Sequence, residues 1–387
     1  DWRRLFMTGE NSTFTGRVGL YDGTEVILGG ANAQGVAWEN VEQVRLNTSH
    51  LDGEKTTAFL LRGDYRFNAP IEVSNSAGVS VATVGQMNGD STLYNATFTG
   101  DVRVNEADFQ ALNLYAEAGG SARFQGGIHG AGGHGFSLNR SFDEIEGIAG
   151  TAQSRGYDSP TGAVILDAAS GVSLSDGGTD SIGPVNVAAG TLQVDTDHFY
   201  ASTLTIAPEA TLAGVGTVSA AVSLGGIQAP GNSVGEQTVG SATWLAGESF
   251  ELEINDAEAG AGVGWDLLRV GEGAGTGILD LTQLSAASPF EIRIVSLDGD
   301  AAGNAANFHA TVPQDWVFVT YDELADDFFD PNVFVIHTGE FQNALGEGYF
   351  TVTQADNGLA VHFVPEPAAA LLFLTALALL LFRRPAR

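Results

Sequence analysis

Short runs of alternating apolar and polar residues recur along almost the whole chain. Examples are residues 25–28, 79–84 and 102–104, each followed closely by glycine or asparagine. Alternation with a period of two is typical of strands with one buried face, and Gly, Asn and Asp favour the turns between strands. Only 143–148 and 322–330 permit short helical turns, and 322–330 is equally consistent with an acidic loop. The pattern predicts an all-β protein.

From residue 185 the strand-like runs form units that are too short to bury an apolar face alone. The clearest of these units lie at 185–194, 204–218, 222–233 and 250–254. Because each unit needs its neighbours to complete a core, the units should stack on one another. The prediction is a right-handed parallel β-helix, or solenoid. Inward Val, Leu and Ile would form columns, and Gly and Asn would take corners that need positive φ.

After Ser285 aromatic residues become more frequent. Further strand-like runs lie at 290–295, 316–319, 333–336, 348–352 and 358–363. A solenoid ends in an unpaired strand edge, which needs a cover. We therefore expect residues 286–364 to form a β-rich module that caps a solenoid of residues 1–285.

The last part of the chain has a different pattern. Pro365, Glu366 and Pro367 precede an unbroken apolar run, 368–382, and Arg383, Arg384 and Arg387 follow it. A helix of about 15 residues is about 22 Å long, so it crosses a hydrocarbon core of about 30 Å only with thinning or with help from its flanks. Arginines remain on the cytoplasmic side of membranes. The pattern predicts one C-terminal membrane helix at 368–382, oriented by the arginines.

This order of motif, apolar run and arginines resembles the PEP-CTERM sorting signal of exosortase substrates. The resemblance covers residues 365–387 and makes Pro365, Glu366 and Pro367 the sorting motif. It implies export, a transient stay in the inner membrane, cleavage by an exosortase-type processing enzyme, and delivery to the cell surface or an extracellular matrix. Residues 1–6 have neither an initiator Met nor the apolar core of a signal peptide, so we expect a fragment or a trimmed chain.

A second resemblance lies within residues 185–285. Residues 189–194 and 210–235 are similar to the autotransporter-associated β-strand repeat, and 265–270 is similar to the strand that follows it in that family. Residues 110–140 show a weaker likeness. The resemblance implies a passenger-like β-helix that serves as a surface or adhesive stalk.

The charge of the chain limits the classes of partner that it can bind. Asp and Glu outnumber Lys and Arg by 47 to 16, for a formal net charge of −31, and Lys55 is the only lysine. Such a chain cannot neutralise phosphates, which argues against a nucleic-acid partner. There is no cysteine, so neither disulfides nor thiolate metal sites can form.

Ser233 lies in a Gly-x-Ser-x-Gly sequence, 231–235. A nucleophile elbow needs a buried strand before the serine and a helix after it. Here Pro230 precedes, and 236–240 alternates like another strand. We therefore interpret 231–235 as a turn and expect no catalytic serine.

Other motifs are equally weak. Residues 130–135 match a dinucleotide fingerprint but do not open a helix, and His129 and His134 are the only close histidine pair. The acidic stretches 176–180 and 298–300 lack the order of a calcium loop. We expect no cofactor and no metal.

Two alternatives to a structural role remain open. β-Helices also host carbohydrate-active enzymes, and Glu251 and Glu253 share one face of a strand, although neighbouring solvated carboxylates are the simpler explanation. A carbohydrate-binding module would use exposed aromatics such as Trp244, Trp265 and Trp316. The sequence favours an exported, non-enzymatic structural or adhesive protein, with a surface polysaccharide as a further partner.

Overall fold

The computed structural model describes residues 3–7, 15–21, 23–47, 55–74, 80–88, 92–104, 111–130, 136–139, 162–167, 172–173, 184–196, 199–271 and 277–366. Within these residues the chain is built from strands and contains no α-helix, so the predicted all-β character is confirmed. The cause is the alternation of apolar and polar residues, which favours extended strands. In Thr217–Leu224, for example, every second side chain is buried, and the side chains between them face outward.

The strands, in chain order, are β1 (Arg3–Met7), β2 (Gly16–Tyr21), β3 (Thr24–Val36), β4 (Val41–Asn47), β5 (Lys55–Phe67), β6 (Ile71–Ser74), β7 (Ser80–Gln86), β8 (Asn95–Phe98), β9 (Val102–Val104), β10 (Ala111–Ala116), β11 (Ser121–Phe124), β12 (Ile128–Gly130), β13 (Phe136–Leu138), β14 (Ala163–Leu166), β15 (Val172–Ser173), β16 (Val185–Val187), β17 (Thr191–Val194), β18 (Phe199–Ile206), β19 (Thr211–Gly214), β20 (Thr217–Leu224), β21 (Ile227–Pro230), β22 (Glu236–Trp244), β23 (Ser249–Ile254), β24 (Leu267–Val270), β25 (Ile278–Asp280), β26 (Phe290–Asp298), β27 (Ala301–Ala302), β28 (Gln314–Tyr321), β29 (Glu323–Leu324), β30 (Phe334–Glu340), β31 (Tyr349–Ala355) and β32 (Gly358–Val364). Two short 3-10 turns, Ala325–Asp327 and Pro331–Val333, lie between β29 and β30.

Most strands pair in parallel with a strand two or three positions further along the chain, and these pairs form three ladders. The first ladder runs β1-β3-β5-β7-β10-β13-β16-β18-β20-β22-β25-β29. The second runs β3-β5-β8-β11-β14-β17-β19-β21-β23-β26-β30. The third runs β2-β4-β6-β9-β12-β15-β18-β20-β22-β24-β28.

Long strands belong to two ladders at once. β18, β20 and β22 contribute their first halves to the third ladder and their second halves to the first, and the register of their pairing shifts in between, for example between Tyr200 and Thr203. Such an irregularity lets one strand change direction at a corner without ending. The ladders therefore enclose a common interior.

That interior is one continuous hydrophobic core, which extends from Leu20 to Phe363. Parallel pairing in register places equivalent inward positions above each other. In the second ladder, Val164 lies beside Leu192, and Leu192 lies beside Leu212. Aromatic residues fill the same role where space is larger, as in the stacked rings of Phe98 and Phe124, with centroids 4.8 Å apart.

The C-terminal strands pair differently. β31 and β32 form an antiparallel hairpin around Asp356 and Asn357, where Asn357 has a φ of 50°. β32 also runs antiparallel to β28, and β27 runs antiparallel to the end of β26. A two-residue turn with positive φ is the usual connection in such hairpins.

The predicted fold class, a right-handed parallel β-helix with a cap and a membrane helix, is therefore wrong. The sheet is mixed, because β27, β31 and β32 run antiparallel to their neighbours. Alternation buries one face of a strand whichever way the adjacent strand runs, so the pattern does not encode strand direction.

The membrane helix also has no counterpart in the part of the chain that the structure describes. The helices found there are the two three-residue 3-10 turns, and none is long and apolar enough to cross a membrane. A run of about 15 residues is shorter than the roughly 20 that a spanning helix needs. Residues 368–382, and 143–148 with its expected turn, lie outside the described residues.

The acidic stretch 322–330 is not an α-helix. It forms the short strand β29 and the turn Ala325–Asp327, in which Asp326 and Asp327 have positive φ values of 54° and 51°. The expected boundary between residues 285 and 286 stays a prediction. Across it the second ladder continues, since β26 pairs in parallel with both β23 and β30.

Candidate functional site

Between β21 and β23 the second ladder opens. Their pairing ends at Gln228 and Phe250, although β23 continues to Ile254. Pro230 has no N–H to donate, and Gly231 turns the chain with a φ of +105°. Gly231 then exchanges two hydrogen bonds with Gly214, of 3.0 and 2.9 Å, which carries the backbone away from β23.

The cavity left by this opening has a volume of about 250 Å³. Four carboxyl groups line it, together with the polar residues Asn232 and Ser233 and the small residues Ala213, Ala229, Pro230 and Gly231. The carboxyl groups belong to Glu251, Glu253, Asp266 and Asp300. Glu251 and Glu253 alternate with the buried Phe250, Leu252 and Ile254, so both face the outer side of β23.

Asp266 is the buried member of this set, with 1% of its surface exposed. Its Oδ1 accepts a hydrogen bond from the N–H of Gly235 at 2.9 Å, and its Oδ2 accepts one from the N–H of Glu253 at 2.8 Å. Asp266 therefore joins the loop after β21 to the strand from which that loop has separated.

Burial raises the pKa of Glu253 to about 7, and the charges of Glu251 and Asp300 add to the shift. Burial also raises the pKa of Asp266 well above its usual range, against the two backbone N–H groups, which favour the charged form. A carboxyl group with a pKa near 7 exists in both protonation states at neutral pH, so Glu253 can donate or accept a proton there.

A short polar network lies beside the cavity. The buried Gln228 donates to Gln237 Oε1 at 2.5 Å, and Gln237 donates to the carbonyl oxygen of Ala213 at 2.7 Å. In register, Gln228 occupies the inward position that Leu212 and Phe250 hold on either side. A polar residue therefore interrupts the apolar column at the level of the cavity.

Ser233 does not have the setting of a catalytic serine. It lies in a bend, and the strand β22 follows where an elbow would need a helix. Its hydroxyl oxygen is buried and has no hydrogen-bond partner. No His, Lys or Arg lines the cavity, so the histidine or lysine base of the usual catalytic serine is absent from its lining.

The three tryptophans named as sugar-binding candidates are all buried, at 0% exposure for Trp244 and Trp316 and 9% for Trp265. Trp265 and Trp316 donate to the carbonyl oxygens of Val317 and Ala257 at 2.9 and 3.1 Å. The expectation that these three aromatics are exposed is therefore wrong. Burial of a large apolar side chain lowers the free energy of the folded state more than burial of a small one, so large aromatic side chains are found in the core.

The other candidates lie apart from the cavity or outside the described residues. His129 is a partly buried residue of β12, while His134, the rest of 131–135, and 176–180 are outside. In the stretch 298–300, only Asp300 lines the cavity. Within the described residues, no group of three His, Asp or Glu side chains is arranged to hold a metal ion.

Of the sorting motif, Pro365 and Glu366 are described. They follow β32 directly and belong to no strand or helix, and Glu366 is exposed. Pro367, Arg383, Arg384 and Arg387 lie outside the described residues.

Sequence reasoning named Glu251 and Glu253 but missed the role of Asp266 and Asp300. Asp266 precedes the apolar strand β24, and a lone Asp at the start of a buried strand was the available signal. Its partners Gly235 and Glu253 are 31 and 13 residues away, so only the stacking of the strands brings them together. No protein-family model matches the chain, and no curated protein matches it either.

Proposed function

We propose that the protein is an exported, non-enzymatic structural or adhesive protein of the bacterial surface or its extracellular matrix. The observation that carries the proposal is the stack of short strands around one continuous core. Strands in a ladder are about 4.8 Å apart, so ladders of this kind span about 50 Å. Such a stack gives length and a regular outer surface, which are the properties of a spacer or a stalk.

The charge of the protein argues against a polyanionic partner. The net charge of −31 keeps the chain soluble and repels nucleic acid and acidic polymers. The described ion pairs are at least partly exposed to solvent. For example, Arg45 with Glu72 joins two successive strands of a ladder, and Arg123 of β11 pairs with Asp167, which directly follows β14. Exposed pairs of this kind contribute only about 0–1 kcal/mol each, so the core supplies most of the stability.

The lack of enzymatic activity is part of the proposal. Its support is that the Gly-x-Ser-x-Gly sequence forms a corner that is followed by the strand β22 and not by a helix. A screen of the full chain against a panel of polysaccharides, which measures both product release and retention, tests this part. Release of sugar products would assign the protein to carbohydrate-active enzymes instead.

We further propose that an exosortase-type enzyme processes the chain near Pro365, Glu366 and Pro367. The support is the resemblance of 365–387, the position of Pro365 and Glu366 outside any strand or helix, and the exposure of Glu366. Proline keeps the preceding residue out of the helical region, and an extended segment is what a processing enzyme can bind.

The experiment uses a host that has the sorting system. Wild-type protein extracted from the cell surface should end near this motif by mass spectrometry, and Glu366→Ala should leave unprocessed protein in the cells. Glu347→Ala, at an exposed glutamate outside the motif, is the matched control and should be processed normally. A surface form that still carries Arg387 contradicts the sorting assignment.

A further inference from the structure

A short segment of the chain takes the place that β21 leaves at the opening of the second ladder. The pairing of β21 with β23 ends at Phe250, before β23 itself ends. Residues 264–266 run along the remaining part of β23 in the opposite direction, and Ile254 forms an antiparallel bridge with Trp265. Residues 264–266 are called the strap below, and they close the edge of β23 without belonging to a ladder.

Asp266 holds the strap in place. Its N–H donates to the carbonyl oxygen of Glu253 at 3.1 Å, and its Oδ2 accepts from the N–H of Glu253 at 2.8 Å. Its Oδ1 accepts from the N–H of Gly235 at 2.9 Å, so the same carboxyl group also binds the corner formed by residues 231–235. One buried side chain therefore joins the strap, β23 and the corner.

Three acidic groups surround the carboxyl group of Glu253 at this joint. Glu251 lies two residues before it on β23, Asp266 lies in the strap, and Asp300 follows β26. Burial, and then the charges of Glu251 and Asp300, raise the pKa of Glu253 to about 7. Burial also raises the pKa of Asp266, and the charge of Glu253 adds to that shift. Ionisation of Glu253 therefore adds a negative charge to a joint that is already acidic.

The positive charge near this joint belongs to Arg293 of β26. Arg293 is opposite Glu251 in register, lies 3.8 Å from its carboxylate, and donates to Glu340 of β30 at 2.9 Å. The residue of β26 opposite Glu253 is the apolar Val295, and the cavity-lining residues of the corner are uncharged. Among the described groups that face it, ionised Glu253 therefore has no positive partner of its own.

We propose that the strap and the corner form a pH-sensitive closure over the edge of β23, which is held shut while Glu253 is protonated and released when Glu253 ionises. The two backbone hydrogen bonds of Asp266 favour its charged form, so ionisation of Glu253 places a second negative charge beside the first. When the strap moves away, water reaches both carboxylates and stabilises them. This inference goes beyond the structural role and does not depend on export.

The direction of the pH dependence follows from the protons that each state binds. The pKa of Glu253 is about 7 in the closed state and near the model value of 4.5 when the side chain is solvated. The closed state binds more protons between these values, so closure weakens as the pH rises through this interval. One pKa unit is a tenfold change in an equilibrium constant. Because Glu253 is partly exposed, we expect the open population to rise at least about fivefold between pH 5.5 and pH 8.5.

Amide hydrogen exchange of the purified full chain measures the open population, since a protected amide exchanges when its hydrogen bond opens. The reporters are peptides that contain Gly235 and Glu253, whose N–H groups donate to Asp266. After correction for the intrinsic effect of pH, their exchange should be at least about fivefold faster at pH 8.5 than at pH 5.5. A peptide from β20, which is paired on both sides, should keep its protection. Equal protection of the reporters at both pH values, or an equal loss in β20, overturns the proposal.

Glu253→Gln keeps the size of the side chain and cannot ionise, so its reporters should show no rise in exchange with pH. Glu248→Gln is the matched control, because burial also raises the pKa of Glu248 but this residue does not line the cavity. It should show the same rise as wild type. A rise of wild-type size in Glu253→Gln overturns the proposal.

A second variant covers the case in which Glu253→Gln does not fold, as judged by circular dichroism. Asp300 is exposed, so Asp300→Asn removes one of the charges that act on Glu253 without changing the core. The rise in exchange should then be clearly smaller than in wild type. An unchanged rise in Asp300→Asn overturns the proposal.

Discussion

The parallel ladders before Asp298 and the C-terminal group of β28, β31 and β32, in which β32 runs antiparallel to both neighbours, bury their apolar residues in different ways. In the ladders each inward residue packs on its equivalent in the next strand, as Leu192 does on Leu212, and most of these residues are aliphatic. At the C-terminal end, β28, β31 and β32 enclose a cluster of aromatic rings that includes Trp316, Phe350 and Phe363.

The difference shows what each arrangement needs. A parallel ladder can continue indefinitely, so it always presents another unpaired edge. The hairpin of β31 and β32 reverses direction and places β32 along β28, where it covers backbone groups of the last parallel strand of the third ladder. Large rings fill the wider space between strands that no longer repeat the same register.

The largest effect is expected in the aromatic end. Trp316 is fully buried and contacts Phe308 and Phe350, so Trp316→Ala should lower the free energy of unfolding by about 3–5 kcal/mol. Tyr349→Ala, which alters a side chain that is 60% exposed, should change it by less than about 0.5 kcal/mol. Urea unfolding measures both. A loss of unfolding free energy below about 1 kcal/mol for Trp316→Ala would show that the aromatic cluster does not stabilise the C-terminal end of the fold.

The next effect tests how closely the parallel strands approach each other. Gly214 has a φ of +105°, and a Cβ there would lie 2.2 Å from the carbonyl oxygen of Val194. Gly214→Ala should therefore cost about 2–4 kcal/mol in the same assay. At Gly260 a Cβ meets nothing within 4 Å, so Gly260→Ala is the control and should be nearly neutral. Similar costs for the two variants contradict the close approach.

A smaller effect tests the opening in the second ladder. The pKa of Glu253 is about 7 in the folded protein against 4.5 in a model peptide, so the folded state binds more protons between these pH values. Stability should then fall as the pH rises from about 4.5 to about 7. Because Glu253 is partly exposed, we expect a contribution of only about 1–2 kcal/mol.

Glu253→Gln should remove this part of the pH dependence and be more stable than wild type at pH 8. Thermal unfolding at pH 5 and at pH 8 measures it, with Glu366→Gln as a control at an exposed glutamate. If the stability of Glu253→Gln depends on pH as the stability of wild type does, the carboxyl group of Glu253 is not buried next to other negative charges.

The smallest effect concerns Ser233. Its hydroxyl makes no hydrogen bond, so Ser233→Ala should change the free energy of unfolding by less than about 0.5 kcal/mol or raise it slightly. Ser296 is the matched control, because its buried hydroxyl oxygen accepts from the N–H of Gln342 at 2.7 Å. Ser296→Ala should cost about 1–2 kcal/mol. If Ser233→Ala lowers the free energy of unfolding more than Ser296→Ala does, the absence of a hydrogen-bond partner for the Ser233 hydroxyl is contradicted.

Much of the secondary structure could be predicted from the sequence, and less of the candidate site. Alternation located strands such as Val102–Val104 and Ser249–Ile254 because it follows from burying one face of an extended chain. Glu251 and Glu253 were found on one face by the same rule. Aromatics such as Trp316 were expected outside and lie inside, since local pattern does not report the size of the space between strands.

The sequence by itself determined the all-β character, the turns at glycine, and the acidic surface. These follow from the preferences of single residues and from a period of two, which act over a few positions. Only the tertiary structure decided the strand directions at the C-terminal end, the opening between β21 and β23, and the meeting of Asp266 with Glu253 and Gly235. Each of these depends on groups that are far apart in the chain, and stacking alone brings such groups within hydrogen-bond distance.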